Sequence, residues 1–400
     1  MNKAEKLTLN AFSAYIKQEP LSVSETLSDG DFSAFMQKAM LHKLLPMAGS
    51  ALLRSGALNE KQTQLLRAAI IRQVTGQTMR SAQLLKTLQA LNGVGGHPLC
   101  VKGIVCRSFY PEPDWRLSGD EDLIVPEDDF ERCCEELTKL GFVAAKTDKN
   151  AFEAGFTHSA SGFRIELHNA FFDPKNDFYN TFNLLFDDIF AFPQEIQTES
   201  GKVPAPNNNV HLLYLILHAF KHFILAGTGI RQVCDIALFA AAGGFDWQDI
   251  FARCAEVNAD VFLNAILLIG EEYFGLDLTE IKNACPAWDD TTNIAPLLDD
   301  IMSGAVYGAD AEERQHSAPI TMRNVAAQNK GKNASVLRSV FPPKEKLAKK
   351  YPYVEKHPVL LPTAWSQRLL TYLKSGSDTS LTVDIAKKRT ELMKQYRIIK

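Results

Sequence analysis

Hydrophobic positions recur at helical spacing through about the first 92 residues. In the run MRSAQLLKTLQAL, Met79, Leu84, Leu85, Leu88 and Leu91 follow that repeat. Asn92-Gly93, Gly95-Gly96 and Pro98 then stop it, because glycine and proline disfavour a continuing helix. Beyond them the period shortens. Pro98 to Ile104 reads as a short buried strand, and Gly103 to Tyr110 as one or two helical turns. DEDLIV predicts a second strand at 120–125. The run from Pro126 to Phe142 predicts a helix, with proline near its first turn, acids crowding that turn and Gly141 past its end. Phe142–Ala145, Phe152–His158 and Phe163–Leu167 read as strands, the last two joined by a hairpin turn at Ser161-Gly162.

This order of strands around one helix predicts a small mixed sheet with helices on one side, an α+β fold flanked by helical regions. The polar, proline-containing run from Phe192 to Asn209 reads as a connection. Asn207 to Asn209 can cap a helix that begins near Val210, and helical segments are expected to about residue 330. TAWSQRLLTYL and DIAKKRTELMKQYRII are helix candidates near the end. The expected organisation is a helical region at 1–95, a sheet-containing core at 96–205, a helical domain at 206–330 and a basic region at 331–400.

Composition changes this picture in three ways. The net charge of −4 is uneven, since residues 331–400 hold 15 Lys or Arg against 5 Asp or Glu. A basic end on an acidic body either binds nucleic acid or docks on that body, and the second reading is the plainer one. The seven cysteines form no C-x-x-C pair, so they predict reduced core thiols in a cytoplasmic protein rather than a disulfide framework. The most apolar run, Leu212 to Ile224, contains His218, Lys221 and His222, so no membrane span is expected.

The chemistry starts at Asp120-Glu121-Asp122. Alternate side chains on a strand share a face, so Asp120 and Asp122 point one way and Glu121 the other. Two neighbouring carboxylates beside Leu-Ile-Val are costly unless a cation neutralises them. Hard oxygen ligands suit Mg²⁺, or Mn²⁺. In Phe163 to His168, Arg164, Glu166 and His168 share one face while Phe163, Ile165 and Leu167 face the core. If this strand lies beside 120–125, Glu166 completes a three-carboxylate site of the kind that serves two metals. Gly103 permits close backbone approach to a phosphate, and Lys102 offers a charge to one. Arg116 can reach a phosphate or can be a surface arginine. His211, Leu215, His218 and His222 share a helix face, which either ligates a metal or, as the preferred reading, packs on the sheet. Arg231 and Asp235 stand four residues apart, at pairing distance on a helix.

VKGIVCRSFYPEPDWRLSGDEDLIV, the helix after it, then GF and RIELHNAFF resemble the uncharacterised nucleotidyltransferase family, in the polymerase-β-like superfamily. HLLYLILHAFKHFILAGTGIRQVCDIALF and FPPKEKLAKKYPYVEKHPVLLPTAWSQRL resemble its later regions, so the likeness covers about residues 35–370. The resemblance implies that 96–205 is a catalytic core. Asp120 and Asp122 match the D-x-D acids, Glu166 the third acid and Gly103 the glycine of the first element. Ile104 stands where a serine usually meets the phosphates, and Glu166 where aspartate is frequent. Lys102, Gly103, Arg116 and His168 are the residues expected to serve NTP, and by the resemblance His218, His222, Arg231 and Asp235 would line a cleft closed by the helical domain. The expected activity is Mg-dependent transfer of an NMP group from an NTP, such as ATP, to an unidentified hydroxyl acceptor. A weak or inactive module that binds a partner or nucleic acid is the alternative, and a helical scaffold with an incidental D-x-D is the third reading.

Overall fold

The computed structural model describes residues 1–145, 151–199, 201–286, 288–304, 347, 351, 353–374 and 379–399. The chain divides into two compact units, Met1–Ala219 with Gly229–Ser303, and Phe220–Thr228 with Gly304–Lys400.

The first unit opens with four helices: α1 (Lys3–Ile16), α2 (Asp29–Leu41), α3 (Leu45–Arg54) and α4 (Glu60–Gly93). Asn2 and Asn59 cap α1 and α4, each accepting from the third helical amide while Glu5 or Gln62 bonds back. Helix α4 ends at the predicted glycine. Strand β1 (Leu99–Cys100), the short helix α5 (Ile104–Arg107), β2 (Glu121–Ile124), α6 (Glu127–Lys139), β3 (Phe142–Ala144), β4 (Glu153–His158) and β5 (Arg164–His168) follow. They build a five-stranded sheet in the order β1-β2-β5-β4-β3. Strand β2 runs parallel to β5 and antiparallel to β1; β4 is antiparallel to both of its neighbours. The fold is α+β with a small mixed sheet, as the pattern predicts.

Helix α6 packs across β3 and β5, burying Cys133 and Leu137 on one side of the sheet. On the strands, Leu123, Ile165 and Leu167 are fully buried. The register sets Asp122 opposite Glu166 and Leu123 opposite Leu167, so hydrophobic and polar faces agree from strand to strand. After α7 (Asp177–Asn183) the chain departs from its reading as a polar connection. Residues 194–205 form a hairpin of β6 (Gln194–Thr198) and β7 (Gly201–Ala205). Thr198, Val203 and Ala205 are buried, a period-two signal that the Gln, Glu, Lys and Pro residues between them mask in sequence. Five further helices follow: α8 (Asn208–Leu225), with Asn207 Oδ1 accepting from Val210 N at 3.1 Å, α9 (Ile230–Ala240), α10 (Trp247–Glu256), α11 (Asp260–Phe274) and α12 (Thr279–Ala284). Helix α13 (Ala295–Gly304) comes last before the long undescribed stretch.

In the second unit, Leu347, Val354 and Ala364 form a small core with Tyr351, Tyr353, Leu361 and Trp365 packed on it. Its helices are α14 (Tyr353–Lys356), α15 (Leu361–Lys374) and α16 (Thr379–Gln395). The guanidinium of Arg389 donates to the Phe223 carbonyl and lies over the Phe223 ring. The helical reading of 305–330 and the start of the basic region, 331–346, lie outside the described residues.

Candidate active site

The run Asp120-Glu121-Asp122 splits as strand alternation requires. Glu121 turns away from the other two acids into a closed network. Its carboxylate accepts from Arg107 Nη1 at 2.6 Å and from the Ile104 amide at 2.9 Å, capping α5. Arg107 also donates to Ser118 Oγ at 2.8 Å. Gly103 makes this possible. Its φ is +44°, and a Cβ there would lie 1.7 Å from Glu121 Oε2. The glycine expected to admit a phosphate instead admits the Glu121 carboxylate.

On the opposite face, Asp122, Glu166 and His168 each place a donor atom within 4.8 Å of the others. Asp122 and Glu166 are brought side by side by the β2–β5 register, and His168 follows two residues on, on the same face. His168 Nε2 lies 3.4 Å from Asp122 Oδ1 and 4.0 Å from Glu166 Oε2. Its Nδ1 is 3.8 Å from Glu153 Oε2. Neither ring nitrogen of this buried histidine has a hydrogen-bond partner among the described residues. Bonds of about 2.1 Å to a small divalent cation space neighbouring donors about 3 Å apart and opposite ones about 4 Å. Two carboxylates and an imidazole at these separations fit such a cation.

Lys102 brings a cationic group to one of these acids, Asp122. Its Nζ is 2.7 Å from Asp122 Oδ1 and 3.0 Å from His218 Nε2. Burial works against the charged form of Asp122, but the Lys102 ammonium and the His168 imidazole outweigh it and hold its carboxyl well below the usual range. Glu166 moves the other way, raised by burial and then by the Asp122 and Asp120 carboxylates. Neighbouring acids whose affinities for a proton are driven apart in this way resemble the acid pairs of many active sites. Asp120 lies just before β2 and is half-buried. It acts electrostatically on Glu166 and on Lys43, but the tight cluster of three donors does not include it.

The remaining sequence candidates take other positions. Arg116 is fully engaged with Asp235, donating from Nε at 2.7 Å and Nη2 at 2.6 Å to its two oxygens. Tyr110 donates to the same carboxylate at 2.8 Å. Burial opposes the ionised Asp235, and the Arg116 charge and hydrogen bonds overcome it. Asp235 forms a long-range ion pair with Arg116, and Arg231, four residues before it on α9, acts on the same carboxylate electrostatically while donating to the Leu117 carbonyl. His211 is buried, with Nε2 2.6 Å from the Val101 carbonyl, and burial pushes it down to about 4. It packs behind the Lys102 strand end, in line with the preferred reading of that helix face. His218 touches Lys102, and His222 falls in the other compact unit.

Sequence reasoning missed Lys43. Its backbone φ is +56°, in the left-handed region, and it closes α2 with Lys43 N bonded to Met40 O and Leu44 N to Ala39 O. Its Nζ lies 2.3 Å from where a Cβ on Gly119 would stand. Burial first, then the Arg231, Arg116 and Arg80 charges, offset in part by Asp120, push its ammonium down to about 8. No local signal marks a single lysine at a helix end for this place.

No helix among the described residues is long and apolar enough to cross a membrane. A search of curated proteins finds no match, and a search of solved structures finds none. A family model described as uncharacterised nucleotidyltransferase matches residues 28–275, which contain the whole sheet, the acid cluster and Lys43. The chain belongs to the uncharacterised nucleotidyltransferase family.

Proposed function

We propose that this protein transfers an NMP group from an NTP to a hydroxyl acceptor, using a divalent cation held by Asp122 and Glu166, with His168 as third donor and Asp120 beside them. The observation that carries this reading is the convergence of Asp122, Glu166 and His168 within 4.8 Å in a chain of this family. A bound cation would neutralise polyphosphate charge and polarise the acceptor hydroxyl. The chain's own part is to position. Register aligns the two acids, Lys102 offsets the charge of Asp122, and His218 holds the Lys102 ammonium. A nitrogen donor broadens the preference from Mg²⁺ towards Mn²⁺.

The test is Mn²⁺ binding followed by electron paramagnetic resonance, with pyrophosphate release from each NTP measured in cell extract. The Asp122→Asn/Glu166→Gln variant is expected to lose Mn²⁺ binding by at least roughly tenfold to a hundredfold, the scale that removing a ligand's hydrogen-bonded partner already reaches. Binding equal to that of the unmodified protein would refute the assignment. Two observations favour a second reading, a module without catalysis. Gly103 is filled by Glu121 and Ile104 replaces the phosphate-binding serine. Metal binding without pyrophosphate release from any NTP would support that reading.

A further inference from the structure

With Gly103 closed to phosphate, a nucleotide needs another anchor for its charged tail. We propose that Lys43 and Arg80, set on the loop that leads into Asp120, form a polyphosphate-binding site. The inference rests on the nucleotidyl-transfer reading and names where the triphosphate is held.

The loop is where cations gather. Arg231 donates to the Leu117 carbonyl, Arg80 Nη1 donates to the Ser118 carbonyl at 3.2 Å, and the Lys43 ammonium covers the bare face of Gly119. A carbonyl partner satisfies a donor and leaves the cation's charge uncompensated. Among the described residues, neither Lys43 nor Arg80 has a carboxylate within ion-pairing distance. Arg116 differs, because Asp235 neutralises it. Asp120 faces Lys43 electrostatically without forming an ion pair with it, and Asp120 also acts on Glu166. Asp120 is thus within electrostatic reach of both Lys43 and Glu166, and it follows directly on the Leu117–Gly119 segment that the cations touch. A polyphosphate lying along this segment would meet ammonium and guanidinium at one end and the cation site at the other.

Two sequence choices make sense together on this reading. Lys43 occupies a left-handed helix-end position where glycine or asparagine is the relaxed choice. Gly119, whose backbone does not need glycine's freedom, lacks the Cβ that would displace the Lys43 ammonium. Half-buried, with a proton affinity lowered first by that burial and then by its cationic neighbours, Lys43 gains more from an arriving anion than a surface lysine does.

The probe is inorganic tripolyphosphate, titrated calorimetrically into the full chain with chelator present so that no metal contributes. The unmodified protein is expected to bind it. Lys43→Gln/Arg80→Gln should bind at least about tenfold more weakly, since each charge-assisted contact is a strong one. Lys43→Arg should largely retain binding, and Gly119→Ala should weaken it as Lys43→Gln does, because its Cβ takes the place of the ammonium. Asp122→Asn/Glu166→Gln should bind tripolyphosphate at least as well as the unmodified protein. Equal affinity in Lys43→Gln/Arg80→Gln and the unmodified chain would overturn the proposal, as would no binding at millimolar tripolyphosphate. If the double variant does not fold, Lys43→Gln and Gly119→Ala, each checked for an unchanged melting temperature, decide in the same way. Loss of Mn²⁺ binding in the acid variant with tripolyphosphate binding intact separates the two sites. Failure of the Mn²⁺ experiment alone would remove the metal assignment and leave the anion site standing.

Discussion

Glu121 and Asp122 are adjacent, acidic and almost equally buried, at 3% and 4% exposure, yet they lie in opposite kinds of environment. Glu121 meets a guanidinium and a helix amide, and its oxygens fill the space that Gly103 leaves. Asp122 meets a lysine already shared with His218, a carboxylate across the strand and a histidine whose nitrogens have no hydrogen-bond partner among the described residues. Burial and charge are the same on both faces, so neither marks function. What separates them is the kind of partner: the Glu121 face is closed by a guanidinium and a helix amide, and the Asp122 face is open to a cation through a carboxylate and an imidazole, although Arg107 Nη2 also lacks a hydrogen-bond partner among the described residues. The closed face holds the strand in place, and the open face keeps coordinating capacity unused. The Arg116–Asp235 pair belongs with the closed kind, although sequence placed both residues near substrate.

The contrast breaks most sharply at Arg107. Arg107→Met would leave Glu121 charged and buried without its main partner, at a cost of about 3–5 kcal/mol in urea unfolding. A loss under about 1 kcal/mol would show that the closed network does not hold the strand. His211 tests the same side through pH. Its folded value of about 4 lies below the ordinary value of about 6.5, so the unfolded chain binds the proton more readily. Stability is fully present above about pH 6.5 and falls as pH drops towards 4, by about 3 kcal/mol for this one group. Urea midpoints at pH 7 and pH 4.5 should therefore differ less in His211→Gln than in the unmodified chain. An unchanged difference would remove His211 from the acid-sensitive set.

The smallest expected stability effect sharpens the open side and has the opposite sign. Glu166 is raised by burial and by two nearby acids, so its ionised form costs stability at neutral pH. Glu166→Gln should then stabilise the metal-free chain by a few tenths of a kcal/mol, since its partial exposure screens the repulsion. The gain should vanish once the carboxyl is protonated in acid. The same variant should weaken Mn²⁺ binding about tenfold or more. A destabilised Glu166→Gln with unaltered Mn²⁺ affinity would move Glu166 to the closed kind.

Much of the sheet was legible because its signals are local. The D-x-D alternation, the acid-rich start of α6 and the glycines at 93, 141 and 162 each depend on neighbours within a few residues. The β6–β7 hairpin was not legible, because its few buried side chains sit among charged and polar ones. His168 was named for the site by its place on the Glu166 face, but its missing hydrogen bonds were beyond reach, since that depends on what surrounds it.

By itself, then, the sequence determined which strand side chains share a face: Glu166 with His168, and Glu121 opposite to Asp122, while Asp120 lies just before the strand. Period-two geometry imposes that on any strand. Only the tertiary structure decided that β2 and β5 lie parallel with Asp122 opposite Glu166, that Asp235 takes Arg116, and that Lys43 reaches Gly119. These pairings join residues far apart in the chain, and their partners are selected by packing and charge compensation once the elements have come together.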